Sequence, residues 1–240
     1  PPAMSDRLRN RHSVEVITGW GMTEMSPLGS FTSSTPEIEA LPKPQRDAAL
    51  YGRAGRILYP VEIKLVDSEG RRQPFDGQSA GQIWVRGPTI VSGYFRGEGG
   101  DILDKDGWFP TGDIATISAD GSVSITDRHK DLIKSGGEWI ASTDLEAAAT
   151  HCAGVAQAAA IAAPHPKWQE RPLVIVVPQA GAAVTKDAVL EVMRERLARW
   201  QLPDDVIITD ALPRTATGKI DKKTLRERYK THLMQAGAAP

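Results

Sequence analysis

A single cysteine, Cys152, occurs in the 240 residues. That excludes an intramolecular disulfide and suits a reducing compartment, so a cytoplasmic location is expected. Cys152 lies in an Ala-rich patch without an adjacent base, which points to burial and not to a nucleophile. Long apolar runs are also missing. The run 173–177 covers five residues, and a membrane span needs about 20. The opening Pro1-Pro2-Ala3-Met4-Ser5-Asp6 lacks the apolar core of a signal peptide. Excess charge of one sign is absent as well: the formal net charge is -1, so nothing pulls the whole chain toward nucleic acid. The basic run 222–230 reads as a solvated helix face. No internal repeat is visible.

What remains is an ordinary globular composition, 40% apolar and 25% charged. The length allows one large domain or two of usual size. Two textures meet at Asp127-Arg128-His129-Lys130-Asp131-Leu132-Ile133-Lys134-Ser135-Gly136-Gly137. Before it, the chain becomes strand-like almost at once. Val14-Glu15-Val16-Ile17 reads as a buried or nearly buried strand, and residues 26–50 as a long surface loop. Val61, Ile63 and Leu65 alternate with Glu62 and Lys64, and Ile83 and Val85 with Gln82, Trp84 and Arg86. Residues 114–117, Asp120-Gly121, then Val123 and Ile125 read as a hairpin. Several short strands suggest a small barrel or sandwich.

After the seam the texture is α/β. Thr143 with Glu146 reads as a capping box opening a helix to about Thr150. Strands are expected over 155–163, 173–177 and 205–209. Thr185 caps a helix whose apolar face is Val189, Val192, Met193, Leu197 and Trp200. A basic helix covers 224–229.

Four constellations stand out: Gly19-Trp20-Gly21-Met22-Thr23-Glu24; Trp108-Phe109-Pro110-Thr111-Gly112-Asp113; Asp127-Arg128-His129-Lys130 with Gly136-Gly137; and Pro213-Arg214-Thr215-Ala216-Thr217-Gly218-Lys219-Ile220. Each is weak alone. The last invites a phosphate-loop reading, but the spacing fails, because Pro occupies 213 and Ile220 follows the Lys.

In this order and spacing the four are specific. From about Ser5 to Tyr229 the chain resembles the adenylate-forming superfamily of acyl- and aryl-CoA synthetases, peptide-synthetase adenylation domains and luciferases. Ala80-Gly81-Gln82-Ile83-Trp84-Val85-Arg86-Gly87 with Gly93-Tyr94 matches too. The run 127–140 looks most like medium- and long-chain fatty acyl-CoA synthetases. The resemblance implies an α/β (α+β) chain in two parts. Residues 1–129 would be the C-terminal part of the large AMP-binding domain, with a small distorted β-barrel region. Residues 130–240 would be a compact, mobile C-terminal lid domain.

It also implies an activity: ATP-dependent conversion of a carboxylic, fatty acid to an acyl-adenylate, then transfer to CoA. ATP/AMP, Mg²⁺ and CoA are the implied small molecules, with a small-molecule carboxylic acid as partner and self-association left open. Glu24 matches the Mg²⁺-associated carboxylate and Thr23 a phosphate-contacting hydroxyl. Trp20, Gly21 and Met22 match positions beside the adenine. Asp113 matches the ribose-holding carboxylate. Arg128 matches an Arg near ribose and phosphate; as a structural residue it would be an interdomain salt bridge. Lys219 matches the mobile Lys that reaches the α-phosphate. Lys130 matches the hinge. Gly136 and Gly137 match backbone lining the thiol tunnel; otherwise they form a tight turn.

Asp127-Arg128 stands where many relatives carry Gly-Arg, and Trp20 replaces the commoner Tyr. The family's Ser/Thr/Gly-rich phosphate loop is not in these residues. Met4 is a candidate initiator, but the other reading is a piece of a longer enzyme, too short to adenylate efficiently alone. Two alternatives stay open: an aryl-CoA ligase or carrier-loading adenylation domain, and a non-catalytic nucleotide- or CoA-binding fragment.

Overall fold

The computed structural model describes residues 2–236. They divide into two compact units, 1–129 and 130–240. The first opens with α1 (Pro2–His12), where the sequence suggested early strand character. Two sheets follow. The smaller joins β1 (Gly19–Gly21), β2 (Leu28–Phe31) and β3 (Arg56–Ile57) in that order. Helices α2 (Pro36–Glu39) and α3 (Lys43–Tyr51) intervene between β2 and β3.

The expected loop over 26–50 is therefore corrected: it holds a strand and two short helices. Each helix has proline in its first turn, where the missing N–H costs nothing. Thr35 caps α2 by accepting from Ile38 N–H. These are local signals that a Pro- and Ser-rich composition masks. The expected strand Val14–Ile17 is corrected too. Among the described residues this stretch pairs with no strand, and Val14 and Ile17 are 45% and 54% exposed. A β-type run becomes a strand only where a partner edge satisfies its backbone.

The larger sheet comprises β4 (Glu62–Val66), β5 (Arg72–Gln73), β6 (Gly81–Arg86), β7 (Phe109–Ile117) and β8 (Val123–Arg128). All pairings are antiparallel, in the order β5-β4-β6-β7-β8. The order has two ends, so the expected small barrel is not closed. The two sheets instead meet through backbone bonds between residues 54–57 and 121–123, including Ala54 N–H to Val123 C=O and Val123 N–H to Gly55 C=O. Curling of this kind satisfies edges without closing the sheet. Alternation decides the core: Leu65, Ile83, Val85, Ala115, Ile117 and Val123 are fully buried.

The second unit starts with the hairpin β9 (Ile133–Ser135) and β10 (Glu138–Ile140). Then come α4 (Ser142–Thr150), β11 (Val155–His165), β12 (Gln169–Pro178), α5 (Lys186–Arg194), β13 (Asp205–Ile208), α6 (Lys222–Tyr229) and α7 (His232–Ala236). The strand order is β10-β9-β12-β11, with β13 parallel to β12. Both faces of this sheet are covered. Ala158, Ala160, Val174 and Val176 pack with Leu145, Val189 and Met193 of α4 and α5. Ala159, Ile161, Leu173 and Ile175 pack with Leu225 and Leu233 of α6 and α7. A strand buried on both faces reads as a continuous apolar run, as β12 does. Cys152 is buried in the first of these layers.

Two helix expectations change. The α4 N-cap is Ala141, without a side-chain cap, and Thr143 lies inside the helix. Glu146 is used elsewhere: it pairs with Lys222 Nζ at 2.7 Å and accepts from Ala160 N–H. Thr185 does cap α5, accepting from Ala188 N–H. The helix stops at Arg194, however, and Trp200 lies beyond it in a 3₁₀ turn, 46% exposed.

Met193→Ala is therefore expected to cost the second unit about 2–5 kcal/mol in urea unfolding, and Trp200→Ala less than about 1 kcal/mol. Equal losses would mean that the apolar face runs on to Trp200 as one helix.

Candidate functional site

The Thr111-Gly112-Asp113 run lies within β7, where residues 109, 111, 113, 115 and 117 face the core. Asp113 thus occupies an inward position and is only 7% exposed. Thr111 prepares it. The Thr111 hydroxyl donates to Ile83 C=O at 2.9 Å and accepts from Asp113 N–H at 3.2 Å. Gly112 takes φ of +77°, a left-handed conformation that a Cβ would strain. A buried carboxylate needs donors, and Asp113 has two. Trp20 Nε1–H donates to Oδ2 at 2.7 Å, and Arg128 Nε lies 3.3 Å from Oδ1.

These contacts draw three of the four constellations together. Trp20 is on β1, Asp113 on β7 and Arg128 on β8, directly opposite Asp113 in the ladder. The Trp20 ring belongs to the core with Met25 and Phe109; its polar end serves the carboxylate. The salt bridge that Arg128 makes with Asp113 lies within the first unit, across one pair of strands. Each carboxylate oxygen accepts about two hydrogen bonds, so Asp113 retains acceptor capacity. The Trp20–Asp113 link was missed in the sequence, because residues 93 apart show no mutual pattern; the inward register of Asp113 was the available clue.

Gly21 is bare for a packing reason. A Cβ there would lie 1.9 Å from Pro27 C=O. Met22 packs partly against the core. Thr23–Met25 form one 3₁₀ turn, anchored by fully buried Met25, with Thr23 exposed at its start.

Glu24 is held from another direction. Its C=O accepts from Val91 N–H at 2.8 Å, and its Oε1 accepts from Tyr94 Oη–H at 2.7 Å. That bond, followed by burial, raises the Tyr94 phenol above its ordinary value. Among the described residues Oε2 accepts no hydrogen bond, and no Lys or Arg pairs with the carboxylate. Mg²⁺ shared with phosphates and water needs only one or two protein carboxylates. The Glu24 donor set fits that arrangement.

The remaining constellations lie in the second unit. Lys130 is exposed, at the boundary of the two units. Gly136 and Gly137 form the two-residue turn of the β9–β10 hairpin, with φ of +60° and +94°. Positive φ at both positions is the type I′ requirement, so the turn alone accounts for the pair. A Cβ on Gly136 would also meet the Trp168 ring at 2.7 Å.

The Lys219 loop is tied by Thr215 N–H to Lys219 C=O, Gly218 N–H to Thr215 C=O and Arg214 Nη1 to Gly218 C=O. Arg214 Nη2 fastens it to Gln157 of β11. The loop is braced where adaptability was expected. Its Lys219 side chain is exposed, and its ammonium has no bonding partner among the described residues. Just beyond, Lys222 Nζ donates to Ser142 Oγ at 2.6 Å as well as meeting Glu146. Part-buried pairing thus roots α6 immediately after a cation with no partner among the described residues.

Solved structures match over nearly the whole chain. ATP-bound MatB from Rhodopseudomonas palustris superposes with a TM-score of 0.81 and 29% identity, covering 97% of this chain and 44% of that one. The acyl-adenylate complex of o-succinylbenzoate CoA synthetase from Bacillus subtilis gives 0.78 and 28%, covering 94% of this chain and 44% of that one. The fold is that of adenylate-forming enzymes. The AMP-binding enzyme family matches residues 1–95, and the AMP-binding enzyme C-terminal domain matches residues 144–219.

The chain belongs to this AMP-binding family. It is 44% identical over 233 residues to a 3-methylmercaptopropionyl-CoA ligase of Ruegeria pomeroyi, covering 97% of this chain and 43% of the relative. It is 43% identical over 240 residues to a medium-chain-fatty-acid–CoA ligase of Ectopseudomonas oleovorans, covering 100% and 43%. The chain therefore spans less than half the length of the curated relatives it matches. No helix among the described residues is long and apolar enough to cross a membrane.

Trp20→Phe keeps an aromatic ring in the core and removes the donor together with part of the indole. It is expected to destabilise the first unit by about 1–3 kcal/mol. A double-mutant cycle with Asp113→Ala should return a coupling energy of about 1 kcal/mol or more; a value near zero would show that the bond contributes nothing.

Proposed function

We propose that this chain is part of an AMP-forming acid–thiol ligase that activates an aliphatic carboxylic acid with ATP and passes the acyl group to CoA. The observation that carries this reading is the Trp20–Asp113–Arg128 cluster: a buried carboxylate with two donors in place and acceptor capacity left. Identities of 43–44% to aliphatic acyl-CoA ligases, against 34% to feruloyl-CoA synthase, support an aliphatic acid.

In the first step the acid's carboxylate oxygen attacks the α-phosphorus of ATP. The bond to the bridging oxygen breaks, and pyrophosphate leaves with that electron pair. Asp113 accepts from the ribose hydroxyls and so fixes the nucleotide. Arg128, half exposed beyond its contact with Asp113, adds positive charge beside ribose and phosphate. The Thr23 hydroxyl donates to phosphate. Mg²⁺, when bound, neutralises phosphate charge, and Glu24 Oε2 is the oxygen that would hold it. Trp20, Gly21 and Met22 border the adenine. Lys219 presents its ammonium to the α-phosphate and acyl oxygen, where charge builds in the transition state.

In the second step the CoA thiol, losing its proton, attacks the acyl carbon, and AMP leaves. The second unit turns about Lys130 between the steps. The β9–β10 hairpin with Gly136 and Gly137 then borders the pantetheine arm.

The longer protein that contains this chain is expected to catalyse acid-dependent ATP–pyrophosphate exchange, and Lys219→Ala to reduce it at least about 100-fold. Unchanged exchange would remove Lys219 from the reaction. Lys130→Pro fixes φ at the boundary and restricts His129. Thioester formation should then fall more than adenylation. Equal losses in both half-reactions would argue against a pivot at this residue.

A further inference from the structure

Glu24 carries the most exacting task in the proposed reaction, yet only its neighbourhood explains how it could perform it. A glutamate on a one-turn 3₁₀ segment has three side-chain torsions and little to restrain them. Two groups of one other segment restrain this one. Val91 N–H holds the Glu24 backbone at 2.8 Å, and the Tyr94 hydroxyl holds Oε1 at 2.7 Å. That second segment is itself anchored. Ile90 N–H donates to Gly87 C=O, and Ile90 and Val91 pack against the core of the first unit. The Tyr94 ring is backed by bare chain at Gly99, where a Cβ would lie 3.5 Å from its edge.

The chemistry of the donor matters. An Arg or Lys at this place would orient Glu24 as well, but would cancel the negative charge that a divalent cation needs. A phenol is neutral. It occupies one oxygen and leaves the charge and the other oxygen available.

We propose that Tyr94 is a positioning residue for Glu24: by donating to Oε1 it aims Oε2 at the divalent cation that accompanies ATP. This rests on the reading of Glu24 as the cation-side carboxylate. Tyr94 touches no reacting atom in this proposal and acts only through Glu24. Hydrogen bonds to a ligating carboxylate contribute to metal affinity by fixing the ligand's orientation.

Two measurements test it. In the longer protein, the Mg²⁺ dependence of ATP–pyrophosphate exchange is followed at fixed ATP and acid. Tyr94→Phe should raise half-saturating Mg²⁺ about 10-fold, and added Mg²⁺ should recover the lost rate. Glu24→Gln should show a larger defect that added Mg²⁺ does not recover. In the 240-residue chain, ¹³Cζ-tyrosine NMR reads the contact without turnover. The Tyr94 signal should shift in Glu24→Gln, where the charged acceptor of its hydroxyl is lost.

Unchanged Mg²⁺ dependence in Tyr94→Phe, with Glu24→Gln impaired, would overturn the positioning role alone. A Tyr94 signal unmoved by Glu24→Gln would do the same. Unaltered Mg²⁺ dependence in Glu24→Gln would overturn the reading of Glu24 itself. A defect in Tyr94→Phe that no Mg²⁺ concentration relieves would assign Tyr94 to holding the loop, and not to aiming the carboxylate.

Discussion

A carboxylate taken out of water must find hydrogen-bond donors, or its burial is costly. Asp113 faces inward on β7 among apolar side chains and meets that condition through an indole N–H and a guanidinium. Much of the first unit's arrangement follows from satisfying it. Arg128 must sit opposite on β8, which the ladder register provides. Trp20 must come from the other sheet with its N–H directed inward, which brings β1 against the large sheet. Gly112 must adopt a left-handed conformation, and Thr111 must hold the strand to Ile83. Residues that read as nucleotide contacts in the sequence therefore form one another's support.

The second unit uses charge differently. Lys222 is engaged by Glu146 and Ser142, whereas Lys219, three residues earlier, extends from a braced loop with no bonding partner among the described residues. In the proposed reaction such a cation gains from being rooted nearby yet uncommitted at its tip. Bracing by Arg214 limits the conformations open to the loop. The same contrast appears in the first unit, where Glu24 is tied by one oxygen and, among the described residues, accepts no hydrogen bond at the other.

The strands with clear alternation, β4, β6 and β7, were legible because each presents one face to a core and one to water; in β8 Val123 is buried but Ile125 is 38% exposed. The doubly buried β12 was legible too. The helix at Thr185 was legible from its cap, but its end was not: apolar spacing continues past Arg194, while the chain turns into 3₁₀ geometry. Thr143 and Glu146 match a capping pattern by spacing, but the helix is capped at Ala141, and Glu146 pairs with Lys222 and accepts from Ala160 N–H. Val14–Ile17 has strand propensity and no partner edge among the described residues. Residues 26–50 hide short helices because proline reads as a breaker even where it is tolerated.

By itself the sequence determined which chemistry-bearing residues exist, their order, the seam near Lys130 and the alternating faces that make the cores, since these depend on residue type and local period. Only the tertiary structure decided that Trp20 donates to Asp113, that Arg128 pairs within its own unit, that Gly136-Gly137 is a type I′ turn beneath Trp168, and that Tyr94 holds Glu24. Each of these is a contact whose partner's direction depends on sheet register and loop geometry, which no local pattern records.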